Sequence, residues 1–128
     1  RWLQCLKDLE ILSLDCSGCE LTDAGVANIA GLKFNRLQKL RLSFRGSSQL
    51  VDVNACGLPE LLSSLSGLQE LDLDLGDNRL HNCGVLGDAE CLGRLTEISS
   101  FRLNLKGCGE AVSGNDLDNV TDGLRQML

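Results

Sequence analysis

Four segments of this chain superimpose on one another, and that internal repetition constrains the fold more than any other feature. LEILSLDC starts at Leu9, LQKLRLSF at Leu37, LQELDLDL at Leu68 and ISSFRLNL at Ile98. The starts lie 28, 31 and 30 residues apart. A period of that size marks a solenoid, in which one supersecondary unit is stacked on copies of itself. Five columns of the alignment are apolar throughout: Leu6, Phe34, Leu65, Leu95; Leu9, Leu37, Leu68, Ile98; Leu12, Leu40, Leu71, Phe101; Leu14, Leu42, Leu73, Leu103; and Cys16, Phe44, Leu75, Leu105. With 43% of the chain apolar, twenty independent matches have a chance on the order of one in ten million.

Within each segment apolar residues alternate, which predicts a strand with one buried face. The stretches between the strands have helical character. Thr22-Asp23-Ala24-Gly25 leads into Val26, Ile29 and Leu32 at helical spacing. Pro59 suits a first helical turn before Leu61, Leu62 and Leu65. Asn115 is placed to cap a last helix carrying Leu117, Val120, Leu124 and Met127. One strand–loop–helix unit cannot cover its own apolar face. Stacked units align their strands in parallel, put helices behind them and bury one shared core. The expected fold is therefore α/β: a single domain over residues 1–128, a curved right-handed solenoid with parallel strands on the concave side and helices on the convex side.

The residues after the strands resemble a known family. CELTDAGV, from Cys19 to Val26, and NRLHNCGV, from Asn78 to Val85, follow the strand motif. In both, Cys or Asn stands two residues before Leu21 or Leu80, and Gly25 or Gly84 stands four after it. Together these are similar to leucine-rich repeats of the ribonuclease-inhibitor-like class, LxxLxLxx(N/C)xLTxxG. In the fourth unit Cys108 and Gly114 fit, but Glu110 replaces the leucine. The second unit fits poorly and carries extra residues near Gly46-Ser47-Ser48, where a bulged loop is expected. The resemblance implies a horseshoe fragment and a role in protein–protein recognition.

Charge narrows the partners. A net charge of −6 disfavours binding driven by phosphate, for which a basic face is needed. No apolar run nears the roughly 18 residues of a membrane span. Seven cysteines (Cys5, Cys16, Cys19, Cys56, Cys83, Cys91 and Cys108) are odd in number and irregularly spaced, unlike a disulfide framework. A reducing, intracellular and cytoplasmic setting is expected. The chain opens with Arg1-Trp2-Leu3, already apolar-periodic, and stops at Met127-Leu128. A fragment of a longer array, or one capped by a partner, is expected; alone it should aggregate or oligomerise.

Cys16-Ser17-Gly18-Cys19 is a CxxC, the spacing of a redox pair or of half a zinc site. The repeat offers a simpler account: Cys16 sits in an inward column, and Cys19 shares the loop column of Asn78 and Cys108. Cys83 and Cys91 read as small buried residues. Asp15, Asp72 and Asp74 supply hard-cation donors, but Arg41 and Arg102 oppose them. No nucleophile elbow, phosphate loop or HExxH is present, and His81 is the one histidine. No catalysis, cofactor or small-molecule substrate is implied.

The strand residues between the leucines point to the other face. They form columns of Ile11, Lys39, Glu70, Ser100; Ser13, Arg41, Asp72, Arg102; and Asp15, Ser43, Asp74, Asn104. Strands about 4.8 Å apart turn Arg41, Asp72 and Arg102 into a charge ladder. This face reads either as a solvated surface or as a strip for a protein partner, up to a large assembly. The candidate contact residues are Asp15, Lys39, Arg41, Ser43, Glu70, Asp72, Asp74, Arg102 and Asn104. An alternative is a regulatory accessory of an enzyme, such as a small-GTPase-activating repeat protein acting from loop residues like Arg45 and Arg79.

Overall fold

The structure, a computed structural model, describes residues 6–47, 49–81, 86 and 91–108. The element order is β1 (Ile11–Asp15), α1 (Asp23–Ala30), β2 (Lys39–Ser43), α2 (Leu58–Ser63), β3 (Glu70–Asp74), a 3₁₀ turn (Leu92–Arg94) and β4 (Ser100–Asn104). The helix expected after Asn115 falls outside the described residues.

The four strands form one parallel sheet in chain order. Its register is that of the sequence alignment. Leu12 pairs with Leu40, Leu40 with Leu71, and Leu71 with Phe101; Leu14, Leu42, Leu73 and Leu103 follow suit. Because side chains alternate across a strand, a slip of one residue would turn every leucine to solvent. In the two central units all ten column residues are buried. Leu40, Leu42, Leu71 and Leu73 are each at most 2% exposed, and each burial of that kind contributes about 1.5–3 kcal/mol. Leu12, Leu14, Phe101 and Leu103 are half-buried against the same core, since each end strand has a strand neighbour on one side only.

Behind the sheet, α1 packs on α2, and α2 on the 3₁₀ turn. Thr22 caps α1 by accepting the Gly25 amide at 3.1 Å, meeting a donor that has no partner inside the helix. Val26 is the residue α1 buries most completely. α2 begins at Gly57, whose φ of 74° favours glycine. A side chain there would also meet the Cβ of Ala30 at 3.2 Å, so the glycine permits the close approach of the two helices. Pro59 lies in the first turn, and Leu58, Leu61 and Leu62 are buried.

The loop of the second unit pairs with its neighbours beyond the Gly46-Ser47-Ser48 stretch. The isolated bridge between Asp52 and His81 is made by Val53 N donating to His81 O at 3.1 Å and His81 N to Val51 O at 2.7 Å. The Asp23 carboxylate accepts the Val51 amide at 2.9 Å, tying the start of α1 to the same loop. The insertion is absorbed by pairing with the loops on either side.

Candidate protein interface

The polar face of the sheet carries all nine candidate contact residues, brought together by the parallel register. Two open hollows of about 570 and 490 Å³ lie over it. The three columns are not equivalent.

In the first column Lys39 meets Glu70 at 3.6 Å, flanked by Ile11, which is 61% exposed, and by Ser100. In the second, Arg41 meets Asp72 at 3.8 Å. The expected ladder is closed on one side only: Arg102 is in register with Asp72 but makes no ion pair among the described residues. Exposed pairs of this kind contribute about 0–1 kcal/mol, so a partner displaces them at little cost.

The third column serves the backbone. Asp15 Oδ1 accepts Ser17 Oγ at 2.6 Å and the Ser17 amide at 2.9 Å. These two bonds, with the charge of Arg41, hold the Asp15 carboxyl below its ordinary range. Asp74 accepts the Gly76 amide at 2.9 Å and the Asn104 side chain at 3.0 Å. Asn104 in turn accepts the Lys106 amide at 2.9 Å, and the Ser43 hydroxyl bonds that of Ser17 at 2.7 Å. Asp15, Asp74 and Asn104 each pin a strand to the turn that follows it, and Ser43 ties β2 to the turn after β1. The cation site considered for Asp15, Asp72 and Asp74 does not assemble: among the described residues no cluster of three His, Cys, Asp or Glu could hold a metal.

Beneath the turns runs a column that sequence reasoning saw incompletely: Cys19, Ser47, Asn78 and Cys108. Asn78, 1% exposed, donates to the carbonyls of Phe44, Leu75 and Gly76 at 2.9, 3.0 and 3.2 Å. The Cys108 thiol, equally buried, donates to Leu75 O at 3.3 Å. Ser47 is fully buried, and its hydroxyl has no partner among the described residues. It was hidden by a one-residue offset: Leu50 follows it by three positions, whereas Leu80 follows Asn78 by two. The equal length of Phe44–Ser47 and Leu75–Asn78 was the signal available.

The Cys19 thiol, at the equivalent position, donates to Ser17 O at 3.9 Å. It is exposed, because among the described residues no preceding turn covers it. Burial instead governs Cys56, whose thiol donates to Val53 O at 3.1 Å and is pushed up to about 11. Burial raises Cys108 as well. Cys91 is buried and donates to Pro59 O at 3.7 Å; Cys83 lies outside the described residues. Of the two loop arginines, Arg45 is held by Asp77 at 2.7 Å, while Arg79 is exposed. No helix among the described residues is long and apolar enough to cross a membrane.

No family model matches the chain, and no curated protein matches it. The fold is similar to that of the tropomodulin C-terminal domain of Caenorhabditis elegans, with a TM-score of 0.52 and 12% identity, over 98% of this chain and 88% of that one. At that identity the likeness concerns the fold alone: an α/β architecture of leucine-rich-repeat type, its parallel strands formed from the repeated segments.

Proposed function

We propose that the chain is a protein-binding module that presents the polar face of its sheet, with no catalysis of its own. The observation that carries the reading is the split among the columns. The third is committed to the turns, whereas Lys39, Glu70, Arg41, Asp72 and Arg102 stand exposed or half-exposed in two weakly paired rows beside Ile11. Such a mixture of displaceable charge and exposed apolar surface suits a protein partner. The repeat length and the Asn78 and Cys108 positions support the ribonuclease-inhibitor-like class, a curved solenoid with this face concave.

Four five-residue strands offer roughly 250–300 Å² of sheet face, against about 800 Å² per partner in a standard interface. The partner therefore also engages the turns after the strands, or further repeats extend the face. Cys16, Cys19, Cys56 and Cys108 are thiols, which suits a reducing, cytoplasmic setting.

A photo-crosslinking residue at Ser13 or Ser100, compared with one at Glu60 on α2, tests the assignment. Crosslinks to one defined protein from the sheet positions, absent from Glu60 and lost on R41E plus R102E, are expected. Equal recovery from the helix position, or recovery unchanged by the charge reversal, overturns it.

A further inference from the structure

The binding reading leaves Cys16-Ser17-Gly18-Cys19 unused. These residues form the turn that ends β1, and the same turn follows every strand. Its third residue has positive φ each time: Gly18 at 71°, Gly46 at 72°, Asp77 at 56° and Gly107 at 81°. In the central units the first and fourth side chains both lie beneath the turn: Phe44 with Ser47, and Leu75 with Asn78, each at most 1% exposed. The same turn places Cys16 and Cys19 at its first and fourth positions, where the other turns hold a different pair, and the Cys19 thiol donates to Ser17 O at 3.9 Å, inside the turn.

Distance and access agree. The Cys19 amide donates to Cys16 O at 3.1 Å. A turn closed in this way holds its end Cα atoms within roughly 7 Å, and a disulfide spans roughly 4.4–6.8 Å. Cys19 is exposed and Cys16 half-buried, whereas Cys56, Cys91 and Cys108 are buried. Desolvation, and after it the charge of Cys19, raise the Cys16 thiol.

We propose that Cys16 and Cys19 form a redox-modification site, closing a disulfide across the turn by exchange with a small-molecule disulfide such as glutathione disulfide. Cys19, the accessible thiol, loses its proton and attacks one sulfur of the reagent. The reagent's S–S bond breaks and one glutathione thiolate leaves. Cys16 then loses its proton and attacks the Cys19 sulfur, forming the Cys16–Cys19 bond and expelling the second glutathione. The two protein thiols give up two electrons, one glutathione disulfide accepts them, and the two protons end on two glutathione molecules. Ser17, which bonds Asp15 and Ser43, lies within the closed ring, so oxidation re-aims one corner of the polar face.

The test uses the full chain in mixed reduced and oxidised glutathione near pH 8, followed by acid quench, N-ethylmaleimide and trypsin. The tryptic peptide 8–33 contains Cys16 and Cys19 and no other cysteine. It is expected to emerge lighter by two hydrogens, without maleimide. In C16S the same peptide is expected to retain one glutathione, on Cys19. In C19S, where only an exposed side chain changes, Cys16 is expected to take up glutathione at least tenfold more slowly than Cys19 does in C16S. A native peptide that carries two maleimides, keeps glutathione on Cys19 or is crosslinked to another peptide overturns the site, and equal rates overturn the order of attack. The readout is a covalent mass, independent of any partner.

Discussion

Asn78 closes one turn while reaching back to the preceding strand: its amide nitrogen donates to Phe44 O at 2.9 Å and to Leu75 O at 3.0 Å. Those carbonyls lie at the ends of adjacent strands in a dry core, where an unmet acceptor costs about 1–3 kcal/mol. The side chain joins two repeats at a point where the sheet ladder has ended.

That bridge predicts opposite outcomes in one column. N78A removes the donors and leaves a cavity, and should lower stability by about 2–4 kcal/mol. S47A removes a buried hydroxyl with no partner among the described residues, and should be neutral or stabilise by up to about 1 kcal/mol. Urea denaturation midpoints compare the two. Equal losses would show that Ser47 is bonded as Asn78 is.

The turn glycines separate conformational cost from steric cost. Both Gly18 and Gly107 have positive φ, which costs a substituted side chain about 1–2 kcal/mol. Around Gly18 a Cβ meets nothing within 4 Å, whereas at Gly107 it runs into the Asp77 carboxylate. G18A should show the conformational cost alone, and G107A a larger one that G107A plus D77A partly restores. Thermal denaturation of the three variants reads this directly.

Alkaline stability should report Cys56. Its folded-state pKa is raised to about 11 from an ordinary 9.0, so the folded chain holds the proton more tightly than the unfolded chain does. The contribution is complete below about pH 9 and is lost as pH rises towards 11, by roughly 2–3 kcal/mol. C56A should flatten that part of the stability–pH curve. An unchanged slope would show that Cys56 ionises in the folded chain as it does in water.

Asp15 tests whether the third column belongs to the turns. Its carboxyl is lowered first by the Ser17 hydroxyl and next by the Ser17 amide. The stabilisation is present above the ordinary aspartate range and is lost as pH falls through the lowered value. S17A should move the Asp15 carbon-13 titration upward. No movement would mean that the hydroxyl bond is absent in solution.

Much of this fold was legible because leucine at matched offsets is a one-dimensional record of an inward face. The register linking Leu14, Leu42, Leu73 and Leu103 was readable before any coordinate, since period two assigns faces and the repeat assigns neighbours. The helices were partly legible. Thr22 and Pro59 carry local start signals, but nothing local reveals the 3₁₀ turn Leu92–Arg94 of the third unit. The candidate face was legible as a set of residues and not as a set of roles. Spacing cannot say that Asp72 is held by Arg41 while Arg102 makes no ion pair among the described residues, or that Asp74 turns towards Gly76 and Asn104.

The sequence by itself determined the repeat, the buried spine and the parallel order of the strands, because each follows from the alternation of apolar side chains along the chain. Only the tertiary structure decided which polar groups hold turns and which face solvent, that Ser47 is buried with no partner among the described residues, and that Cys19 is exposed. Those outcomes depend on what lies above or below each turn. Burial is a property of neighbours in space, and equivalent positions in different repeats do not have equivalent neighbours.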